Sequence, residues 1–389
     1  MKKSNDRILV THVGSLPRGE ALSDLLIRQE RHEPYDPEAL RREITASVAD
    51  AVRRQIDAGV DVIGDGEQPR VGFQTYVPQR MTGFGGKSNR PRPLDYVNYP
   101  GYAAMMAKRF PHRASAMSAP QAIGAVHYDD LSATKFECDV FDAAAQGVAG
   151  RYVERFMTAA SPGIVSTTMV DAYYGDHEKY VFALAREMRK EYQLIVARGL
   201  ILQIDAPDLA MERTMTWRDR PLADFLAATE MHVAALNEAL TDIPRETVRL
   251  HCCWGNWDGP HVHDVPLADI LPVLYRARVG ALSVEFANPS HQHEYASIKR
   301  NPPPAEMALL PGVIDSTTNY VEHPEVVANR ICEAVAAVGD RERVIASTDC
   351  GFGTYAGFEY VAPEIVWLKL RACAEGAKIA TRRLWGGAR

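Results

Sequence analysis

Short runs of β-branched and apolar residues alternate along the chain with longer stretches of helical periodicity. In one such stretch Leu40, Ile44, Val48, Val52 and Ile56 recur at intervals of four, as on one face of an amphipathic helix. Further helices are predicted at 177–198, 222–240, 325–338 and 363–380. Strands are predicted at 7–15, 61–67, 163–169, 200–207, 247–254, 281–289, 308–316 and 343–351.

Strands that alternate with helices are typical of βα units around a parallel sheet. Eight such strands and a similar number of helical stretches predict an α/β fold, a (β/α)8 TIM barrel that forms a single domain over residues 1–389. A doubly wound open sheet is the alternative, because strand order cannot be read from a sequence. The absence of a G-x-G-x-x-G motif after the first strand disfavours that alternative.

Residues 69–160 do not follow this rhythm. They include "GFGGKSNRPRPLDYVNYPGY", which is dense in glycine, proline, asparagine and tyrosine. Long irregular segments in compact domains often carry function. We therefore predict an insertion after the second strand that covers the mouth of the barrel as a lid. A small subdomain is the alternative interpretation.

The composition of the chain argues against nucleic acids and membranes as binding partners. The 389 residues are 46% hydrophobic and 24% charged, with a formal charge of −6, as in an ordinary globular protein without the basic field that nucleic acids require. No stretch approaches the ~20 apolar residues of a membrane span. Thr11 and His12 interrupt the first apolar run before a signal peptide would be complete. We expect a cytoplasmic protein, and the sequence leaves open whether it forms a homo-oligomer.

The stretch "LHCCWGNWDGP" places a histidine and two cysteines at the end of a predicted strand. Side chains alternate between the two faces of a strand, so His251 and Cys253 point one way and Cys252 the other. The six cysteines lack the spacing of a secreted disulfide framework, which favours reduced thiols that a metal can bind. His251 and Cys253 are therefore candidate ligands.

Zinc requires four ligands, commonly imidazole, thiolate or carboxylate. Glu285 lies late in the apolar run "LSVEFANP", and Cys350 closes the run "ASTDCGFG". Active sites of TIM barrels lie at the carboxyl ends of the strands. The predicted zinc shell is accordingly His251, Cys253, Glu285 and Cys350.

Each of these residues alone has an ordinary explanation, since a buried cysteine is usually a small hydrophobe and a strand glutamate can pair with an arginine. Two other histidine pairs are rival candidates for metal ligands, namely His261 with His263 and His291 with His293. The alternative interpretation is that these histidines are solvated or support the site without binding metal.

The chain carries a His-x-Cys pair at 251–253, a strand glutamate at 285 and a "DCG" cysteine at 350, in this order. Together these motifs resemble those of the cobalamin-independent methionine synthases, specifically of their C-terminal catalytic barrel. The resemblance covers most of the chain outside 69–160. In that family a His-x-Cys pair, a strand glutamate and a late "DCG" cysteine hold zinc, which implies the same shell here. "HVGSLPR", "GDGE" and "LQIDAP" are similar to substrate-binding segments of the family, which implies roles for Ser15, Glu67 and Asp205.

The sequence also departs from the family pattern. Ala206 stands where the family has a glutamate, Thr317 stands where it has a histidine proposed to act near the folate, and residues 162–168 replace its folate-binding loop. "CWGN", "GPH" and "TDCGF" are more similar to short single-barrel relatives, which include epoxyalkane:coenzyme M transferases. The resemblance therefore supports zinc and thiol chemistry more strongly than a folate donor.

The first functional hypothesis is a zinc-dependent S-alkyltransferase of the methionine synthase kind, which transfers a methyl group from a methyl-folate to homocysteine. Free thiols have a pKa of about 8.5 and are therefore mostly protonated at neutral pH. Bound zinc would lower the pKa of the substrate thiol and so supply the thiolate. Asp205 and Glu67 would hold the substrate ammonium as catalytic and binding residues. The second hypothesis is addition of a sulfonate thiol to an epoxide, for which Arg18 or Arg70 is chemically suited.

A third hypothesis is a barrel without enzymatic activity, whose zinc is purely structural. Structural zinc usually has closed shells with C-x2-4-C spacing, and the chain lacks that spacing.

Overall fold

The structure is a computed structural model and describes residues 1–111, 113, 114 and 116–386. Residues 112 and 115 of the predicted insertion, and 387–389 of the predicted domain, lie outside the described residues. The strands are β1 (Leu9–Val10), β2 (Val62–Ile63), β3 (Thr82–Gly85), β4 (Gln121–His127), β5 (Glu154–Ala160), β6 (Ile201–Asp205), β7 (Val248–His251), β8 (Ala281–Val284), β9 (Ala308–Ile314) and β10 (Ile345–Thr348). The α-helices are α1 (Glu20–Glu30), α2 (Pro37–Ala58), α3 (Leu94–Asn98), α4 (Pro100–Arg109), α5 (Ser132–Gln146), α6 (Pro162–Thr168), α7 (His177–Ala197), α8 (Leu222–Ala239), α9 (Leu267–Leu274), α10 (Tyr295–Arg300), α11 (Pro324–Val338) and α12 (Pro363–Trp385).

Eight strands form one parallel sheet in the order β1-β10-β9-β8-β7-β6-β5-β2. The two end strands also meet, because the Asp61 N–H donates to the Val10 carbonyl at 2.9 Å and the Thr11 hydroxyl donates to the Val62 carbonyl at 3.0 Å. The sheet is thus a nearly closed barrel surrounded by helices. The predicted α/β TIM barrel is confirmed, and the open doubly wound sheet is wrong.

The periodic stretch around Leu40 is the long helix α2. Asp36 caps its first turn by accepting a hydrogen bond from the Glu38 N–H, and the helix ends at Gly59, whose φ of 86° suits glycine. Its apolar residues are buried against the barrel, including Val48 and Val52, which are fully buried. Each such side chain contributes roughly 1.5–3 kcal/mol.

The third predicted strand, 163–169, is wrong. These residues fall in the buried helix α6 and its end, because the Ser161 hydroxyl accepts a hydrogen bond from the Ile164 N–H and Pro162 occupies the first turn. The third barrel strand is instead β5, which pairs with β2 and β6. Its alanines have weak strand propensity, so the predicted insertion extends over residues 154–160.

The segment that departs from the barrel rhythm therefore lies between β2 and α5, because α5 contacts α2 and α7 as a helix of the barrel and leads into β5. Within it, β3 and β4 pair antiparallel as a separate two-stranded sheet, and α3 and α4 lie between them in sequence. We use the name insertion for residues 69–131. Over the described ranges, no helix combines the length and apolarity needed to cross a bilayer.

The beginning of the insertion is tied to the barrel helices by buried charges. Arg70 pairs with Glu137 of α5 at 3.0 Å, and Arg80 pairs with Glu191 of α7 at 3.1 Å and also with Glu137. The side chains of Arg70, Glu137 and Glu191 are at most 2% exposed. Burial acts to raise the pKa of Glu137, but Arg70 and Arg80 outweigh burial and lower that pKa.

Candidate metal centre and substrate cavity

Three of the four predicted ligands meet at the carboxyl ends of the barrel strands. His251 is the last residue of β7, Cys253 follows two residues later, and Cys350 lies two residues after β10. One imidazole nitrogen and the two sulfurs all lie within 4.8 Å of one another, and all three side chains are buried. Within the described part of the chain, this is the one such group of three or more that could hold a metal ion.

The chemistry of this cluster fits a thiophilic metal such as zinc. Both ring nitrogens of His251 are buried, and neither has a hydrogen-bond partner that satisfies normal geometry among the described residues. The neighbouring Cys350 thiol, and then His251, hold the pKa of Cys253 well below its usual range. The cluster therefore offers two sulfurs and an imidazole, neither of whose ring nitrogens has a hydrogen-bond partner among the described residues, as donors that could hold a metal.

Cys252 and Glu285 lie outside this group of three. Cys252 is fully buried, and its N–H continues the strand ladder by donating to the Ser283 carbonyl. Glu285 directly follows β8, and its carboxylate accepts hydrogen bonds from the Trp254 N–H at 3.2 Å and the Asn288 amide at 2.8 Å. Burial and the nearby Cys253 raise the Glu285 pKa well above its usual value. Its role as a fourth ligand stays a prediction.

The rival histidines have other partners. His261 and His291 both contact the Asp264 carboxylate, at 2.8 and 3.1 Å, and so join the loops that follow β7 and β8. The remaining histidine of each pair is peripheral: His263 contacts the exposed Asn98 side chain, and the His293 side chain is 74% exposed. Neither pair forms a metal cluster of three or more ligands within the described ranges.

A cavity of about 370 Å³ opens onto the metal-ligand cluster, a volume within the roughly 300–1,000 Å³ of small-molecule sites. All three residues predicted to bind substrate line it, namely Ser15, Glu67 and Asp205. The structure therefore brings these three side chains to the same cavity as His251 and the two clustered cysteines.

A strained turn carries Glu67 into the cavity. Glu67 has a φ of 53°, in the left-handed region, and its N–H donates to the Asp65 carboxylate at 2.9 Å. Such strain in a residue with a side chain is common at functional sites. Burial, and then the nearby Asp205, raise the pKa of Glu67 to about 8. Its Oε2 atom is buried and has no hydrogen-bond partner among the residues described.

Asp205 closes β6 and is supported from inside the barrel. Gln203 donates to its carboxylate at 2.7 Å, and Arg249 in turn donates to the Gln203 side-chain carbonyl at 2.7 Å. Burial raises the pKa of Asp205 to about 6. The motifs of the sequence do not predict this support, although an arginine inside the apolar run "TVRLHCC" is unusual enough to indicate it.

Gly14 provides a test of how tightly this part of the cavity is packed. A Cβ atom there would lie 2.6 Å from both Glu67 Oε1 and Thr158 Cγ2, and the φ of 151° disfavours side chains. We expect Gly14→Ala to lower the free energy of unfolding by about 1–3 kcal/mol in urea titrations. Gly101→Ala is the control, because its Cβ would meet nothing within 4 Å. Equal effects of the two changes would contradict this packing.

The insertion supplies much of the outer wall of the cavity. Its lining residues include Phe73, Tyr96 and Arg113, and Tyr96 and Arg113 lie against Trp257 and Phe358 of the barrel loops. This placement agrees with a segment that covers the barrel mouth, and a lid function stays a proposal.

Several residues singled out in the sequence do not line the cavity. Arg18 donates to the Glu67 carbonyl at 2.7 Å, and Arg70 pairs with Glu137, so both guanidinium groups are bound within the protein. Thr317 donates its hydroxyl to Asp315 at 2.9 Å. Ala206 and the residues of α6 are buried outside the lining.

Together, the fold and the site define an enzyme-type TIM barrel with an imidazole and thiol cluster at the carboxyl ends of its strands. Residues 120–365 match the family described as "Cobalamin-independent synthase, Catalytic domain". This match covers more than half of the chain, and the chain therefore belongs to that family.

Two named relatives match nearly the whole chain. A 2-hydroxypropyl-CoM lyase of Xanthobacter autotrophicus is 23% identical over 96% of this chain and 94% of its own length. A methionine synthase of Saccharolobus islandicus is also 23% identical, over 96% of this chain and 95% of its own. These relatives are enzymes, and the family membership indicates that this chain is one.

A solved structure shares the fold. The B12-independent methionine synthase from Shewanella sp. W3-18-1, in complex with selenomethionine, superposes with a TM-score of 0.71 at 19% identity. The superposition covers 98% of this chain and 100% of that one.

Proposed function

We propose that this protein is a zinc-dependent S-alkyltransferase that transfers a methyl group to the thiol of homocysteine. The observation that carries the proposal is the convergence of His251, Cys253 and Cys350 at a cavity that also contains Glu67 and Asp205. Relatives named methionine synthase and 2-hydroxypropyl-CoM lyase support alkyl chemistry at a thiol.

Zinc would be held by His251, Cys253 and Cys350, with Glu285 as the predicted fourth ligand. When bound, zinc lowers the pKa of a coordinating thiol and so supplies a thiolate at neutral pH. The substrate thiolate then attacks the alkyl carbon. A sulfur–carbon bond forms, the bond from that carbon to the donor breaks, and the donor leaves with the electron pair.

The two acids would orient the amino group of homocysteine. Glu67 and Asp205 are buried near one another, and the Oε2 of Glu67, which has no hydrogen-bond partner among the described residues, can accept a hydrogen bond from an ammonium. A cation between two buried carboxylates offsets the cost of burying their charges. Ser15 lies at the same end of the cavity, where its hydroxyl approaches the Gly353 N–H at 3.4 Å and can contact the substrate.

Asp205→Asn tests this orientation. We expect the variant to weaken homocysteine binding by about tenfold or more, because a hydrogen bond to a charged group is lost, while zinc content stays unchanged. Isothermal titration with homocysteine and with 2-mercaptoethanol separates the two effects. The second thiol lacks the ammonium, so its affinity should stay the same in the variant. Equal loss for both thiols would contradict a role in binding the ammonium.

Addition of 2-mercaptoethanesulfonate to an epoxide is the second candidate function. The specific observation in its favour is the Xanthobacter relative, whose name refers to this thiol class. In that reaction the thiolate sulfur bonds to an epoxide carbon, and the ring oxygen takes up a proton after the carbon–oxygen bond breaks.

Zinc X-ray absorption on the purified protein tests both candidates. The first measurement is made without thiol, and the next two with homocysteine and with 2-mercaptoethanesulfonate. We expect two sulfur ligands at rest and a third sulfur with the true acceptor thiol. No zinc in the protein, or a loaded site whose spectrum neither thiol changes, would contradict a thiol-activating centre.

A further inference from the structure

Arg113 lies in the insertion between α4 and β4, and its side chain lines the cavity. The guanidinium group is half-buried and rests against two aromatic rings, 4.5 Å from the ring centre of Phe358 and 5.8 Å from that of Phe110. Stacking of this kind holds an arginine in place while its N–H groups remain available at the edge of the plane.

The Arg113 guanidinium has no carboxylate partner among the residues that the structure describes. Its Nη1 atom is buried and makes no hydrogen bond to them. Other arginines of the same region differ: Arg90 pairs with Glu212 at 2.5 Å, and Arg109 pairs with Asp258 at 2.8 Å. A buried guanidinium N–H without an acceptor is unfavourable, and an anionic group of a ligand would satisfy it.

The surroundings of Arg113 indicate what the rest of the ligand is like. This side of the cavity is walled by Tyr96, Trp257, Tyr355 and Phe358, so the body of the ligand meets aromatic faces. Glu67 and Asp205, by contrast, are acidic and lie with the metal ligands. The cavity thus combines an acidic part, suited to a cation, with an aromatic part that contains an arginine suited to an anion.

We propose that Arg113 is a specificity-determining residue that binds a carboxylate or sulfonate on the substrate in the aromatic part of the cavity. This inference rests on the proposed function, because it takes the cavity to be the substrate site. A sulfonate thiol and the glutamate carboxylates of a methyl-folate present the same chemistry to a guanidinium group. Experiments with both compounds distinguish these sources.

Isothermal titration with matched probes tests the proposal. The thiols 2-mercaptoethanesulfonate and 2-mercaptoethanol differ in the anionic group, and 5-methyltetrahydrofolate provides the carboxylates. We expect at least one anionic probe to bind, and Arg113→Gln to weaken its binding by about tenfold or more. Binding of 2-mercaptoethanol should not change. Arg113→Lys should recover part of the affinity, because it restores the charge without the planar fork.

Arg109→Gln is the control variant, since Arg109 lies on the same segment but pairs with Asp258 and does not line the cavity. It should bind the probes as the parent protein does. The proposal would be overturned if neither anionic probe bound the parent, if Arg113→Gln bound them equally well, or if Arg109→Gln caused the same loss. The probe that responds to Arg113→Gln identifies the source of the anion.

The same titrations on zinc-depleted protein separate this inference from the proposed function. Binding of 5-methyltetrahydrofolate or the sulfonate that depends on Arg113 without zinc would support the anion site, even if X-ray absorption showed no thiol at the metal. The converse result is a thiol that enters the zinc shell to the same extent in the parent protein and in Arg113→Gln, and that binds both proteins with the same affinity. This result would support the metal chemistry and refute the role of Arg113.

Discussion

Cys253→Ser and Cys350→Ser are each expected to remove zinc and alkyltransferase activity. Each change deletes one of the two sulfurs of the three-residue cluster, and a serine hydroxyl is a far weaker zinc ligand than a thiolate. Loss of a group that merely hydrogen-bonds to a ligand costs about 10–100-fold in metal affinity, and loss of a ligand itself should exceed about 100-fold. Metal analysis after dialysis and a methyl-transfer assay measure both effects.

Cys252→Ser is the matched control for these variants. Cys252 is adjacent in sequence and fully buried, yet it neither belongs to the cluster nor lines the cavity. It should retain zinc and most activity, with a modest loss of stability from placing a hydroxyl in an apolar site. If all three variants lost zinc equally, the assignment of Cys253 and Cys350 as ligands would be wrong.

Glu137→Gln is expected to lower the free energy of unfolding by about 3–5 kcal/mol, which is typical when one partner of a buried ion pair is removed. Glu137 accepts from both Arg70 and Arg80, and its side chain is 2% exposed. The neutral amide leaves two buried guanidinium groups to share Glu191, whose own pKa burial raises. Because this network ties the insertion to α5 and α7, the insertion should loosen first.

Urea unfolding measures the loss of stability, and hydrogen exchange over residues 69–111 measures the loosening of the insertion. Asp24→Asn is the control, because the Arg28–Asp24 pair is exposed and such pairs contribute about 0–1 kcal/mol. Similar small losses in both variants would show that the buried network contributes little to stability.

Periodicity predicted most of the barrel. Apolar spacing located helix α2 and seven of the eight barrel strands, because these segments bury one helix face or a continuous strand. It failed at α6, where an N-terminal cap and Pro162 outweighed the strand propensity of a buried β-branched run. It also does not indicate β5, whose alanines have weak strand propensity, so the predicted insertion extends into that strand.

Local sequence also predicted which side chains face the candidate site. The alternation of a strand separated His251 and Cys253 from Cys252, and the rule that sites lie at the carboxyl ends of strands placed Cys350 beside them, whereas Asp205 was implied by the family resemblance. The structure agrees with this grouping and brings Ser15 and Glu67 to the same cavity. Whether Glu285 completes a zinc shell is a matter for metal analysis.

The sequence by itself therefore determined the barrel and its metal-ligand candidates, because these depend on short-range periodicity and on the ends of individual strands, and the family resemblance of its motifs implied Glu67 and Asp205. Only the tertiary structure decided which arginines are available to a ligand. Arg18 donates to the Glu67 carbonyl and Arg70 pairs with Glu137, so both are bound to residues distant in the chain. Arg113, in contrast, lines the cavity and has no carboxylate partner among the described residues. Such pairing depends on contacts between segments far apart in sequence, which no local pattern records.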